Sequence, residues 1–256
     1  MRGLERSLQI LAAMNQRPGP HSVVGLNRST GISRAAIYRI LAALTDLGYV
    51  TQSVEADRFQ LTARVRNLSS GYDGDADLYA RALPLLQDLQ RDIVWPTNLG
   101  LRMDATMYLA LSTRASSPWV IDRIKTGAQV PMVGSAVGQT YLAFASPAER
   151  EHLVEQLTGS ARLAVDRIAM RRRLGKAIRL ARDAGYGSRY KGLEPGTGEI
   201  AVPVYEDGRI IACLGMTFIA SVMSAKEAAR KFLPRLLETA ADIGQRRGHE
   251  AAHQIA

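Results

Sequence analysis

The sequence predicts an α+β protein with an N-terminal winged helix-turn-helix, a linker helix and a C-terminal domain built on an antiparallel sheet. Two observations support this prediction. Within residues 21–50, two amphipathic helical patterns flank a short turn that contains glycine, and a hairpin pattern follows them. Beyond residue 77, strand patterns come first, helical patterns are inserted, and strand patterns return before a closing helix, which is typical of a sheet with helices packed on it.

The helix-turn-helix is predicted residue by residue. A first helix spans about residues 22–30, and Gly31 follows it as a turn residue with positive φ. Ser33 is placed to cap the second helix through its hydroxyl, and that helix opens at Arg34. Gly48 ends it at the C′ position. The apolar stripe that predicts the buried side of this helix consists of Ile37, Ile40, Leu41, Leu44 and Leu47.

The opposite side of the second helix has the chemistry of a surface that reads DNA. Small side chains let a helix approach the major groove closely, and arginine bonds guanine edges or phosphates. The predicted partner is therefore double-stranded operator DNA. The candidate contact residues are Arg28, Ser33, Arg34, Ala35, Ala36, Tyr38, Arg39 and Arg58.

The segments on either side of the motif complete a winged helix. Residues 49–52 and 58–61 are β-prone and are joined by a polar turn, which predicts a hairpin. An earlier helix over residues 4–15 is expected to pack under the other two through one apolar face. That face consists of Leu4, Leu8, Leu11 and Ala12. The alternative is a three-helix bundle with an incidental hairpin, but the order of turn, cap, stripe and wing favours the winged helix.

A domain boundary is predicted near residues 69–77, which are rich in small and polar side chains. Residues 62–68 are expected to continue the first domain as a linker helix. The predicted organisation is a winged helix-turn-helix over residues 1–62, a linker helix over 63–76 and a second domain over 77–256.

The second domain opens with an amphipathic helix over residues 77–93, in which Pro84 marks a potential kink. A basic helix over residues 166–184 is expected to present a solvated face. The other predicted elements are strands over 98–103, 107–113, 120–125, 129–133, 199–205 and 209–218, and helices over 136–145, 147–157 and 224–247.

Composition restricts the function classes. The formal net charge is +9 over 256 residues, which suits a partner carrying phosphates and would also suit an anionic membrane surface. No apolar run reaches the roughly 18 residues of a spanning helix, and the N-terminus lacks a signal-peptide core. We therefore expect a cytoplasmic protein with no membrane partner. Cys213 is the single cysteine, which excludes an internal disulfide framework and a cysteine-based zinc site.

Six short motifs follow one another along the chain: residues 2–6 (RGLER), 37–41 (IYRIL), 47–50 (LGYV), 134–138 (GSAVG), 185–187 (GYG) and 201–204 (AVPV). In this order they resemble the motifs of the IclR family of bacterial transcription regulators. The resemblance covers nearly the whole chain. It implies a C-terminal effector-binding domain related to GAF folds, a small organic acid as effector, no cofactor, and a homodimer or homotetramer.

Two further stretches are residues 65–72 (VRNLSSGY) and 94–97 (VWPT). They resemble the MhpR branch of that family, which activates catabolism of hydroxyphenylpropionate-type aromatic acids. This narrower resemblance implies an aromatic carboxylate as effector and a catabolic operon as target. The alternative is a repressor that responds to a small aliphatic oxo acid.

Two departures from the family pattern bear on that alternative. Family members that bind small 2-oxo acids typically have an acid three residues after Gly-Tyr and often a cysteine two residues before the Ala-x-Pro motif. Arg189 and Glu199 stand at these positions here. A guanidinium can fork onto a carboxylate that an acid would repel, so a glyoxylate or pyruvate effector is disfavoured. Ala36 also stands where relatives usually have serine or threonine.

The candidate effector site combines residue chemistry with the resemblance. Backbone amides at a helix N-terminus attract an anion, which a carboxylate would satisfy. Alternate residues of the last strand face the ligand by resemblance. The candidate residues are Gly134, Ser135, Ala136, Arg189, Glu199, Cys213, Gly215 and Thr217. The plainer alternatives are a small buried core residue for Cys213, a surface-loop cation for Arg189, and an edge-strand carboxylate paired with an arginine for Glu199.

Rival functions find less support. Residues 249–253 match the H-E-x-x-H zinc pattern, but little sequence follows that could hold a third ligand, and a frayed tail explains His249 and His253 equally well. Cysteine nucleophilic catalysis would need a basic partner beside Cys213, and no histidine is near it in sequence. We expect no enzyme, no catalytic residue and no metal site. A GAF-like sensor without DNA would leave the winged helix unexplained.

Overall fold

The computed structural model describes residues 2–16, 19–53, 57–69, 71, 75–119, 126–159, 164–190 and 196–245. The chain divides into two compact units, Met1–Asp75 and Ala76–Ala256. The predicted strand over 120–125 and the pattern that contains His249 and His253 lie outside the described residues. Among those described, no helix is long and apolar enough to cross a bilayer.

The N-terminal unit combines helices with a small antiparallel sheet. Its elements are α1 Arg2–Gln16, β1 His21–Ser22, α2 Val23–Thr30, α3 Arg34–Asp46, β2 Val50–Ser53 and β3 Arg58–Leu61, followed by a 3₁₀ helix over Ala63–Leu68. The three predicted helices and the two predicted strands of the wing, β2 and β3, are present, and the strand order of the sheet is β1-β3-β2.

The turn between α2 and α3 depends on one glycine and one side-chain amide. Gly31 has φ +71°, a conformation that costs other L-residues energy. Asn27 donates from its side chain to the carbonyl oxygen of Ile32 at 2.8 Å. The predicted hydroxyl cap by Ser33 is wrong, because its side chain accepts no hydrogen bond from α3. Ser33 starts the helix through its extended backbone, while Asn27 holds the turn.

The predicted packing face of α1 is wrong except at Leu11, which is half-buried against the core of the N-terminal unit. Leu4 and Leu8 are 69% and 56% exposed, Ala12 is exposed as well, and the helix buries Ile10 and Met14 instead. Both pairs of large side chains have the four-residue spacing of a helix face. The spacing alone therefore did not distinguish them, and the positions of α2, α3 and β3 decided which face is covered.

The predicted linker helix is a short 3₁₀ helix, Ala63–Leu68. The hydroxyl of Thr62 donates to the carbonyl oxygen of Gly48 at 2.6 Å and accepts from the amide of Arg64 at 3.3 Å. The Arg64 guanidinium lies 5.4 Å from the ring centroid of Tyr49. These contacts tie the segment to the end of α3 and start it with a tight turn.

The C-terminal unit contains an antiparallel sheet with helices packed on both of its faces. The elements are α4 Ala76–Ile93, β4 Thr97–Met103, β5 Thr106–Ser112, a 3₁₀ helix Arg114–Ser116, β6 Gln129–Pro131, α5 Ala136–Phe144, α6 Pro147–Gly159, α7 Ala164–Ala184, β7 Gly187–Tyr190, β8 Thr197–Glu206, β9 Arg209–Ile219 and α8 Ala225–Gly244. Among the described residues, six strands form the sheet in the order β6-β5-β4-β9-β8-β7.

Strand alternation divides the core of this unit into two layers. Val202, Leu214 and Phe218 join the cluster that contains the buried residues of α4 and α8. Ala201 and Cys213 belong to the second cluster, which contains the buried residues of α5, α6 and α7. Successive residues of a strand point to opposite faces. The candidate effector residues of β8 and β9 therefore all lie on the side of the second layer: Glu199, Cys213, Gly215 and Thr217.

Strand β7 was not predicted, and it adds the edge beside β8. Its first residue, Gly187, lies against α5: a Cβ there would stand 2.5 Å from the carbonyl oxygen of Ala136 and would also overlap the hydroxyl of Thr140. The Gly187 amide donates to the Thr140 hydroxyl at 3.0 Å, and that hydroxyl donates to the carbonyl oxygen of Ala201 at 2.9 Å. The close approach joins β7, α5 and β8.

Candidate DNA-binding surface and effector site

The first turns of α3 present an exposed polar face. Arg34 and Arg39 are exposed on it, with Ala35 and Tyr38 beside them. Arg28 is exposed in the last turn of α2, and Arg58 is exposed in the wing. Of the predicted DNA-contacting residues, those that the structure leaves accessible are Arg28, Ser33, Arg34, Ala35, Tyr38, Arg39 and Arg58.

Ala36 does not belong to this surface. It is 6% exposed and lies in the core of the N-terminal unit with Ile37 and Leu41. Leu47, predicted to end the buried stripe, is 57% exposed because it is the C-cap residue of α3, where the chain leaves the helix. The buried face of α3 therefore begins one residue earlier than predicted and ends at Leu44.

A hydrogen-bonded contact joins α3 to the wing. The Tyr38 hydroxyl donates to one carboxylate oxygen of Asp57 at 2.7 Å, and the Gln52 side-chain amide donates to the other at 3.2 Å. The Asp57 hydrogen bond raises the pKa of Tyr38, so the phenol stays protonated near neutral pH. The ring of Tyr38 also meets Phe59 edge to face, with 6.4 Å between centroids. Sequence reasoning missed Asp57, because nothing local shows that a turn residue faces a helix.

The predicted effector residues of the sheet converge in the layer under α5. Arg189 on β7 stands opposite Glu199 on β8, which stands opposite Thr217 on β9. Asn98 on β4 stands opposite Gly215, and all four side chains are buried. A Cβ at Gly215 would lie 2.6 Å from the Asn98 Oδ1 and 2.9 Å from the Glu199 Oε1, so this glycine makes room for both side chains.

Glu199 binds the N-terminus of α5. Its Oε2 accepts from the backbone amide of Ala136 at 3.3 Å, and its Oε1 accepts from the Asn98 side-chain amide at 3.1 Å. The Arg189 Nε lies 3.6 Å from Oε2. The helix dipole favours a negative charge at this position. The Ala136 amide, predicted to await a ligand, is thus already used. The plainer alternative for Glu199 was an edge-strand carboxylate paired with an arginine: the pairing with Arg189 is present, but Glu199 lies on an inner strand of the sheet.

Arg189 is not a surface-loop cation, because it is 5% exposed on β7. Its Nη1 donates to the hydroxyl of Thr197 at 3.0 Å and to the carbonyl oxygen of the same residue at 3.4 Å. Two buried atoms of this cluster have no hydrogen-bond partner among the described residues, namely the Arg189 Nε and the Asn98 Oδ1. Buried polar atoms nearly always have a partner, so these two are exceptions that need a reason.

The loop before α5 contributes to the effector cluster through its backbone rather than through its side chains. The Ser135 hydroxyl accepts from the Gly138 amide at 3.1 Å and donates to the Pro131 carbonyl oxygen at 2.7 Å. The hydroxyl therefore caps its own helix. Gly134 lies half-buried in the turn before it. Ser135 and Gly134 thus position the Ala136 amide that meets Glu199.

Cys213 lies in the same layer but is fully buried in the core. Burial raises the pKa of its thiol well above the ordinary value, and the charge of Glu199 raises it further. The thiol is therefore protonated at neutral pH, which is the opposite of what a nucleophile needs. Its burial in the core matches the plainer interpretation of Cys213 as a small buried core residue.

Asn98 and Thr197 are the residues of this cluster that sequence reasoning missed. Asn98 had a detectable signal, because a carboxamide in an otherwise apolar strand must have a buried partner or a function. Thr197 had none, since its contact with Arg189 depends on the pairing of β7 with β8, and β7 was not predicted.

Comparison with known families identifies both units. A family model described as Bacterial transcriptional regulator IclR C-terminal matches residues 71–245. A second model, the IclR helix-turn-helix domain, matches residues 3–53.

Curated relatives match over nearly the full chain. The HTH-type transcriptional regulator XynR of Escherichia coli (strain K12) is 24% identical over 252 residues, which cover 98% of this chain and 99% of that protein. The Pca regulon regulatory protein of Pseudomonas putida is 26% identical over 248 residues and covers 95% and 83%.

A solved structure shares the fold. An IclR homologue from Microbacterium hydrocarbonoxydans, determined with 4-hydroxybenzoate, superposes with a TM-score of 0.69 at 20% identity. The match covers 94% of this chain and 97% of that chain. The predicted fold class, an N-terminal helix-turn-helix with a C-terminal α+β effector domain, is confirmed by these matches.

Proposed function

This chain belongs to the IclR family of bacterial transcriptional regulators, and we propose that it controls a catabolic operon in response to an aromatic carboxylate. The family assignment makes it a DNA-binding transcriptional regulator and not an enzyme. The effector, the operon and the direction of control are our proposals. The observation that carries the effector proposal is the buried cluster of Arg189, Glu199 and Asn98 at the N-terminus of α5.

For DNA, we propose that α3 enters the major groove through its exposed first turns. Arg34, Tyr38 and Arg39 are accessible there, and arginine is the commonest reader of guanine in that groove. Arg58 in the wing and Arg28 in the last turn of α2 are exposed and would contact phosphates. Ala35 provides a small side chain that permits close approach, and Ser33 an exposed hydroxyl beside it.

For the effector, three features support an aromatic carboxylate. The site under α5 already binds a carboxylate, that of Glu199, through a backbone amide and a guanidinium. The printed names of two similar proteins refer to the Pca regulon and to 4-hydroxybenzoate. The MhpR-like stretches at residues 65–72 and 94–97 agree with such a ligand and favour activation rather than repression.

A thermal-shift screen of the full chain tests the effector class. Hydroxylated benzoates, phenylacetates and phenylpropionates are compared with pyruvate and glyoxylate, because a ligand that binds the native state raises the melting temperature. We expect stabilisation by at least one aromatic acid and none by its neutral amide. Stabilisation by the oxo acids alone would replace the aromatic proposal with the aliphatic one.

We further propose that a homodimer or homotetramer binds a pseudo-palindromic operator. Two symmetric subunits would place two copies of α3 about one helical turn of DNA or more apart. Sedimentation of the full chain at micromolar concentration tests the assembly, and a monomer would contradict it. Selection from random duplexes should return a site with two inverted half-sites.

A further inference from the structure

We infer that Glu199 is an internal substitute for the effector's carboxylate, and that an anionic effector binds by replacing it at the Ala136 amide and Arg189. The inference rests on the effector proposal and goes further, because it assigns Glu199 a competing role in the site. Glu199 would then set how strongly, and how selectively, the site responds to anions.

The contacts of Glu199 are those that a small carboxylate ligand would use. They come from three separate elements: the Ala136 amide of α5, the Asn98 side-chain amide of β4 and the Arg189 guanidinium of β7. A carboxylate at a helix N-terminus beside an arginine is a favourable anion-binding arrangement. In this chain a strand residue, Glu199, supplies that carboxylate.

The fit of this internal carboxylate is incomplete. The Arg189 Nε lies 3.6 Å from the Glu199 Oε2, too far for a hydrogen bond, and has no other hydrogen-bond partner among the described residues. The Asn98 Oδ1 also has none. Both side chains are more than nine-tenths buried. A donor and an acceptor left over in one buried cluster point to a ligand that brings an acceptor for Arg189 and a hydroxyl or amide donor for Asn98.

The charge of the cluster decides whether an anionic effector replaces the Glu199 carboxylate or binds beside it. Within the described part of the cluster, Arg189 is the cation and Glu199 is the anion. A second carboxylate placed beside Glu199 would leave one negative charge buried without a partner, which is strongly unfavourable. Two carboxylates that lie side by side in one buried cluster repel each other strongly, because water is excluded. An anionic effector must therefore displace the Glu199 carboxylate to occupy the site.

Calorimetric titration with 4-hydroxybenzoate tests the competition. Glu199→Gln keeps the shape and a hydrogen-bond acceptor for Ala136 but removes the charge. We expect the variant to bind the probe about tenfold more tightly than the wild type. The neutral 4-hydroxybenzamide should show no such gain. Glu206→Gln is the matched control, because Glu206 lies on the same strand and pairs with an arginine, Arg81 at 2.8 Å, outside this cluster.

A rescue experiment tests the same idea without the proposed effector. Glu199→Ala removes the atoms that acetate contains, so acetate should raise the melting temperature of this variant by a few degrees and that of the wild type much less. Acetamide is the neutral control. Should the alanine variant fail to fold, Glu199→Ser, which retains a hydroxyl, takes the same test.

The outcomes separate the two proposals. Acetate rescue together with no binding of any aromatic acid would overturn the effector class but support the role of Glu199. Binding of 4-hydroxybenzoate with equal affinity to the wild type and Glu199→Gln would overturn the competition and leave the effector class intact. Absence of acetate rescue in a folded variant would likewise overturn the assignment of Glu199.

Discussion

The two candidate recognition regions of this chain are built in opposite ways. The proposed DNA surface draws most of its residues from the exposed side chains of one segment, residues 33–39 at the start of α3, in which Ala36 and Ile37 are buried. The effector cluster takes Asn98, Ala136, Arg189 and Glu199 from four elements and buries them all. Water solvates each cation of the first region separately, whereas each charge of the second depends on a protein partner. Single side chains of the proposed DNA surface should therefore be replaceable with little loss of stability, whereas single replacements in the effector cluster should destabilise the protein.

The sharpest contrast is expected at Arg189. Arg189→Ala leaves the buried Glu199 carboxylate without its cation, so we expect the free energy of unfolding to fall by about 3–5 kcal/mol. Urea unfolding followed by tryptophan fluorescence measures this, because both tryptophans, Trp95 and Trp119, belong to the C-terminal unit.

Two controls accompany that variant. Arg171→Ala removes an exposed cation that pairs with Glu151 in the same unit, and it should change stability by less than about 1 kcal/mol. The double variant Arg189→Met with Glu199→Leu should recover part of the lost stability, because it removes both buried charges, while the Ala136 amide and the Asn98 side-chain amide lose the carboxylate that accepts from them. A loss below about 1 kcal/mol for Arg189→Ala would show that water reaches the cluster.

Two glycines extend the contrast to the backbone. Gly187→Ala should lower the free energy of unfolding by about 3 kcal/mol, since its Cβ would lie 2.5 Å from the Ala136 carbonyl oxygen with little room to relax. A Cβ added at Gly31 would meet no atom within 4 Å, but the residue has φ +71°. We therefore expect Gly31→Ala to lower the free energy of unfolding by about 1 kcal/mol. Thermal unfolding by circular dichroism compares them. Gly31→Asn should lose less than Gly31→Ala, because asparagine tolerates this conformation, and equal losses would contradict the backbone explanation.

Arg34 tests whether the exposed surface is a binding surface. Arg34→Ala should weaken binding to a selected operator by about 1–3 kcal/mol if the side chain reads a base, with a smaller effect on scrambled DNA. Stability should change by no more than about 0.5 kcal/mol. Gel-shift titrations on both duplexes measure this. Unchanged affinity for both would remove Arg34 from the interface.

The smallest effect is expected at the contact between α3 and the wing. Asp57 places a negative charge beside Tyr38 on the proposed DNA surface. Asp57→Asn removes the charge, keeps a hydrogen-bond acceptor and tolerates the observed φ of 44°. Affinity for any duplex should rise about two- to fivefold at low salt, and the gain should shrink as salt increases. Weaker binding would show that orienting Tyr38 matters more than repulsion. Tyr38→Phe separates the two effects.

Sequence reasoning succeeded where a few neighbouring residues decide the structure. Turn, helix bounds and wing strands between Gly31 and Leu61 depend on local conformation, and the structure confirms them closely. It failed where two faces of one helix were equally apolar. Periodicity predicted a buried face with Leu4 and Leu8, whereas the structure buries Ile10 and Met14, because periodicity gives the spacing of a face and not its direction.

The sequence by itself determined the two-part organisation, the helix-turn-helix and most elements of the sheet, because turns and periodicity are local signals. The family followed from the resemblance of short motifs and not from periodicity. Only the tertiary structure decided that Ala36 is core, that β7 exists, and that Glu199 binds Ala136, Asn98 and Arg189. Those facts depend on strand register and on the approach of α5 to the sheet. The same alternation fits several registers, so the partner of a buried charge follows from how the whole domain packs.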